Sequence, residues 1–147
     1  MRCLIQRVSE AAVAVEGQCI GAIGHGLLVL VGVEPNDGEN EIARMVSKLL
    51  AYRVFNDQNG RMNLDVRSVQ GGLLLVSQFT LAADTRKGLR PGFSTAAAPE
   101  LAARIFDQLV TRIREQYAPV ATGQFGADMQ VTLTNDGPVT FLLESGH

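Results

Sequence analysis

The stretch Met129-Gln130-Val131-Thr132-Leu133-Thr134-Asn135-Asp136-Gly137-Pro138-Val139-Thr140-Phe141-Leu142-Leu143 carries the most regular pattern in this 147-residue chain. Met129, Val131 and Leu133 alternate with Gln130, Thr132 and Thr134, the period of two that gives a strand one apolar and one polar face. Asn135-Asp136-Gly137-Pro138 interrupts the alternation, and Val139, Phe141 and Leu143 resume it. Two alternating runs around a turn predict a β-hairpin, with Gly-Pro an unusual choice for its corner.

Working outward, Leu27-Leu28-Val29-Leu30-Val31-Gly32-Val33 and Gly72-Leu73-Leu74-Leu75-Val76 are apolar without alternation. Each predicts a strand buried on both faces. Val8, Ala12, Val13 and Val15 belong to earlier strand segments, with turns at Glu16-Gly17-Gln18 and Gly24-His25-Gly26. Pro35-Asn36-Asp37-Gly38 breaks the pattern and offers Asp37 as a helix cap. Ile42, Val46, Leu49 and Leu50 then recur at helical spacing, predicting a helix over about 38–53. Pro99 suits a helix first turn, and Leu101, Ile105, Phe106, Leu109, Val110 and Ile113 predict a second helix over about 99–117. Two helices among seven or eight short strands predict an α+β fold, one domain over 1–147. Its sheet should be strongly curved and mostly antiparallel, a partial β-barrel. The helices do not interleave with strands as a doubly wound fold demands.

Composition narrows the class. With 46% hydrophobic and 19% charged residues, the chain has the balance of a folded domain rather than a disordered one. Cys3 and Cys19 make no disulfide framework, which favours a reducing compartment. The N-terminus lacks a signal-peptide core, and no apolar run approaches the ~20 residues of a membrane span. A cytoplasmic protein with no membrane partner is expected. The net charge of −2 gives no general reason to expect nucleic acid, so any RNA contact must be local. The aperiodic stretch 82–98, with Arg86, Lys87 and Arg90, is the local candidate, although a charge run is commonly a solvated face.

Ordinary catalytic machinery is scarce. Of two histidines, His25 sits between turn glycines and His147 is the last residue, so no Ser-His-Asp arrangement is evident. There is no Gly-x-Ser-x-Gly elbow or phosphate-cradling glycine loop, and His and Cys are too sparse for a zinc site. No metal or cofactor is expected. What remains is Ser77-Gln78-Phe79-Thr80, where a buried strand delivers polar groups to its mouth. The bland reading is a strand end that satisfies itself locally. The sharper one is a set of backbone N–H groups and a Ser hydroxyl that stabilise an oxyanion. Thr80 is a conceivable nucleophile, but nothing nearby in sequence would activate it. Gly137-Pro138 likewise reads either as a turn or as a place where backbone carbonyls approach a ligand unobstructed.

Ser77-Gln78-Phe79-Thr80-Leu81 and Asn135-Asp136-Gly137-Pro138-Val139-Thr140 occur here together and in order. With Met1-Arg2, Ile5-Gln6-Arg7-Val8, Asn56-Asp57 and Lys87-Gly88-Leu89-Arg90-Pro91, the chain resembles the D-aminoacyl-tRNA deacylases over essentially its whole length. That resemblance implies hydrolysis of the ester between a D-amino acid, or mischarged glycine, and the 3′ end of tRNA. It implies a homodimer with cross-subunit sites. Ser77, Gln78, Phe79 and Thr80 of one subunit would be the catalytic segment, and Gly137 and a cis Pro138 of the other would reject L-amino acids. Arg7 would brace the Gly-Pro loop, and the ribose 2′-hydroxyl would help activate water. Arg86, Lys87 and Arg90 are the expected tRNA contacts. Two rivals stay open: a small-molecule esterase using Thr80, and a non-catalytic β-barrel that binds RNA or protein.

Overall fold

A computed structural model describes residues 1–146; His147 lies outside the described residues. The elements are β1 (Arg2–Val15), β2 (Gln18–Ile23), β3 (Gly26–Gly32), α1 (Glu39–Ala51), β4 (Phe55–Asn56), β5 (Met62–Leu64), β6 (Gly72–Ser77), a 3-10 turn (Phe79–Ala82), α2 (Pro99–Arg114), β7 (Val120–Thr122) and β8 (Gln130–Glu144). The expected α+β architecture is present.

Strand β1 organises the sheet. One edge pairs antiparallel with β3 along Arg2–Val8 and with β2 along Ala11–Val15, while the other edge pairs antiparallel with β8. Beyond β3 the sheet continues in parallel through β6 to β7. The helices therefore do alternate with strands in this half: α1 lies in the β3-to-β6 connection and α2 in the β6-to-β7 connection. Successive right-handed crossovers in one direction place both helices on the same face, and they pack together there. The sheet curls until Gly21 of β2 meets β7, where an added Cβ would stand 2.7 Å from the Thr122 carbonyl oxygen.

This curl explains the two apolar runs. Leu27, Val29, Val31, Leu73 and Leu75 face the helices, meeting Ile42, Met45, Leu49, Ile105, Leu109 and Ile113. Leu28, Leu74 and Val76 face inward with Val8, Ala11 and Val13, as in a small barrel. Strands buried on both faces show no alternation.

Helix limits differ from expectation for identifiable reasons. Gly38, not Asp37, caps α1, and its N–H donates to the Glu41 carboxylate at 2.8 Å. The Asp37 carboxylate instead accepts from the Met1 ammonium and the Glu34 N–H, each at 2.7 Å. Helix α2 stops at Arg114 because the N–H groups of Gln116 and Tyr117 both turn back to the Ile113 carbonyl. The Tyr117 hydroxyl then donates to the Val66 and Gly71 carbonyls, steering the chain towards β7.

Cys3 is buried beside this N-terminal cage, and burial pushes its thiol from 9.0 up to about 12. Since the folded value is raised, the contribution of this group to stability is full below pH 9 and declines as pH rises towards about 12. Thiol titration of the native protein at pH 8 is expected to label exposed Cys19 only, with Cys3 reacting after unfolding.

Candidate functional site

Strand β6 carries the chain to Ser77, and the Gln78 N–H donates to the Val31 carbonyl at 2.8 Å, locking the segment to the end of β3. The 3-10 turn follows at once. The N–H groups of Phe79 and Thr80 open that turn, where the helix itself supplies no acceptor. Ser77, Gln78 and Phe79 form one wall of a cleft of about 650 Å³. Facing them are Ala96, Ala97 and Ala98, the start of α2, and Phe125, Gly126, Ala127 and Met129. The short alanine side chains leave the space, and the Ala97 N–H is tied to the Val33 carbonyl at 3.0 Å. Phe93 packs on Phe79, ring centroids 5.3 Å apart.

None of the residues lining the cleft is ionisable. Thr80 is not among them; it is exposed, and its hydroxyl accepts from the Gln78 amide. Among the described residues no three His, Cys, Asp or Glu side chains converge as metal ligands. Such a cleft offers backbone donors, a Ser hydroxyl and an amide, but no side-chain base.

Gly137-Pro138 belongs to no hairpin. Both alternating runs lie in the single strand β8, because both pair with the same long partner β1. Gln6 pairs with Thr140 and Val8 with Asn135, so Arg7 alone is opposed by residues 136–139, which bulge out of the ladder. The Gly137-Pro138 peptide is cis. Arg7, 8% exposed, holds the bulge: its Nε donates to the Asp136 carbonyl at 2.9 Å and its Nη1 to the Val54 carbonyl at 2.8 Å. From the other side, the Val139 N–H donates to Asn135 Oδ1 at 3.0 Å. Gly137 and Pro138 are exposed at the tip.

The two motifs stay apart within one chain. Ser77 aligns through Val31 with Cys3, whereas the bulge sits at Arg7, which aligns with Leu27. The offset is about 13 Å along the strands and about 14 Å across the successive strands from β6 to β8. Gly137 and Pro138 accordingly line no part of the cleft.

The 83–98 segment is pinched at its base by reciprocal backbone bonds between Asp84 and Gly92, at 2.7 and 3.0 Å. Arg86, Lys87 and Arg90 stand exposed on the loop this closes. Arg86 is engaged with Asp84 through two guanidinium bonds at 3.0 and 3.1 Å, which hold that carboxyl down at about 2. Lys87 and Arg90 have no ion-pair partner among the described residues. Sequence reading did not anticipate Phe93, Ala96 to Ala98, Phe125 or Met129 as cleft walls. The run of three alanines before Pro99 was the available signal.

The chain thus carries a strand-derived cleft without ionisable lining and, apart from it, a separately braced Gly-Pro bulge. The family model described as D-Tyr-tRNA(Tyr) deacylase matches residues 4–144, and the chain belongs to that family. A D-aminoacyl-tRNA deacylase of Pseudomonas aeruginosa (strain LESB58) is 63% identical over 145 residues, covering 99% of this chain and 100% of the relative. One from Marinomonas sp. (strain MWYL1) is 60% identical over 144 residues, covering 98% and 100%. Among solved structures, a c-Myc DNA Unwinding Element Binding Protein superposes with a TM-score of 0.96 at 41% identity, covering 100% of both chains. A probable eukaryotic D-amino acid tRNA deacylase shares the fold, with a TM-score of 0.82 at 18% identity, covering 97% and 98%.

Proposed function

We propose that this chain hydrolyses the ester between a D-amino acid and the 3′-terminal adenosine of tRNA, in a cleft completed by the Gly137-Pro138 bulge of a second copy. It is an ester hydrolase of the D-aminoacyl-tRNA deacylase class. The observation that carries the cross-subunit reading is the separation of the two motifs: neither can complete the other within one chain. An exposed, rigidly held bulge and an open cleft on the same molecule are complementary parts of a two-fold pair.

In this reading the Gly137 and Pro138 carbonyls grip the α-amino group and occupy the space an L side chain would need. Rejection by occupied space leaves D side chains free and also admits glycine. The Phe79 and Thr80 N–H groups, with Ser77 and Gln78, hold the developing oxyanion. With no ionisable residue lining the cleft, activation of water falls to the ribose 2′-hydroxyl. Lys87 and Arg90, and to a lesser degree Arg86, then lie on the loop that meets the acceptor end.

The decisive assay compares D- and L-aminoacyl-tRNA; loss of the D ester alone is the expected result, and equal hydrolysis of both would refute the filter. A 2′-deoxy terminal adenosine should cripple turnover. Thr80→Ala is expected to cost only about fivefold in kcat, the worth of one neutral hydrogen bond. Complete loss with tRNA binding intact would restore Thr80 as a nucleophile.

A further inference from the structure

We infer that a second groove, running from the cleft along α2, takes the phosphodiester strand that leads to the aminoacylated ribose. The inference rests on the deacylase reading and names where the RNA leaves the site. The groove encloses about 450 Å³ and is lined by Arg104, Phe106, Asp107 and Arg114 of α2, with Thr122 and Phe125 opposite. Phe125 also lines the cleft, so one aromatic side chain forms the boundary between the two spaces. It is held by Phe106, with ring centroids 6.4 Å apart.

Like Lys87 and Arg90 on the 83–98 loop, the cations of this groove are not neutralised by carboxylates, whereas other basic positions are. Arg86 is engaged with Asp84 and Arg112 with Glu39. Arg104 makes no hydrogen bond or ion pair among the described residues, and Arg114 only donates to the Val120 carbonyl at 3.2 Å. The two guanidinium groups arise ten positions apart on one helix, about 15 Å along its axis, which suits separate phosphates along a strand better than one compact anion. A substrate whose reactive end fills an uncharged cleft must trail its polymer across a rim. In a chain of net charge −2, a groove with two cations and one carboxylate is a suitable rim. Asp107 is the dissenting charge and supplies a test of opposite sign.

The experiment measures kcat/KM for D-aminoacyl-tRNA and for the same D-amino acid esterified to adenosine alone. Arg104→Ala is expected to lower the preference for the tRNA ester about tenfold, the worth of one charge-assisted bond. It should also reduce the salt slope of tRNA binding by about 0.7, the single-strand value for one phosphate. Asp107→Asn should shift the preference towards tRNA. An unchanged preference and slope in Arg104→Ala, or equal losses on both esters, overturns the inference. Failure of the unaltered protein to hydrolyse either ester would instead remove the deacylase reading on which it rests.

Discussion

Gly137→Ala is expected to lower D-aminoacyl-tRNA deacylation by about 100-fold or more while the protein stays folded. Gly137 has φ +142, a conformation that L side chains rarely adopt. An added Cβ would stand 2.6 Å from Val139 Cγ2, 3.0 Å from the Val139 nitrogen and 3.0 Å from Arg7 Nη2. Both neighbouring residues are fixed: Val139 is buried, and Arg7 is committed to carbonyls on both sides. The bulge must therefore move, and a displacement near 1 Å of a positioning group costs about 100-fold in rate. The fold survives because the tip is exposed and the β1–β8 ladder continues on either side. Steady-state kinetics with circular dichroism would check both halves. If the bulge acts in a partner's cleft, unfolding and refolding Gly137→Ala together with Gln78→Ala should recover roughly a quarter of wild-type activity through mixed dimers. No recovery would mean that the two motifs do not meet across subunits.

Arg7→Ala is the second large effect, and it should appear in both stability and activity. The side chain is buried and donates to two backbone carbonyls that belong to different segments, Val54 ahead of β4 and Asp136 in the bulge. Charge-assisted bonds of this kind are worth about 1.5–3 kcal/mol each, and truncation leaves both acceptors without their donor. We expect a loss of about 3 kcal/mol in urea unfolding and near-complete loss of deacylation even where the variant remains folded. Arg7→Lys should recover part of the stability but little activity, since an ammonium lacks the fork that reaches both carbonyls. Asp136→Asn provides the contrast. The Asp136 carboxylate lies 3.7 Å from Arg7 and is 61% exposed, so its removal should change stability by no more than about 0.5 kcal/mol. A large effect there would mean that charge, rather than the carbonyl bond, holds the bulge.

Much of the fold was legible because apolar period survives in a single chain. Ile42, Met45, Val46 and Leu49 repeat at helical spacing because one side of α1 is buried, and the α2 stripe from Ile105 to Ile113 does the same. The double-faced runs at 27–33 and 72–76 correctly marked central strands. Pairing was not legible in the same way. Alternation at 129–134 and 139–143 is equally compatible with a hairpin and with one bulged strand on a common partner. Only the register against β1 separates them. Asp37 likewise carries a capping residue's chemistry, and what diverts it is the Met1 ammonium, brought from the far end of the segment by the sheet.

The same division holds for the site. Residues 77–80 and 135–140 were singled out by their joint occurrence and by the family resemblance it carries, since each segment alone reads equally as a strand end or a turn. The scarcity of histidine and of metal-ligand clusters also directed attention to main-chain groups. What tertiary structure decided is where those groups stand. It brought the alanines of 96–98 and Phe125 around Ser77, placed Arg104 and Arg114 on a groove beside them, and kept Gly137-Pro138 away from all of these. Sequence determines what each backbone segment can donate, accept or exclude, since those are properties of single residues. Distance between segments is a property of strand order and register, and these depend on long-range burial that no local pattern encodes.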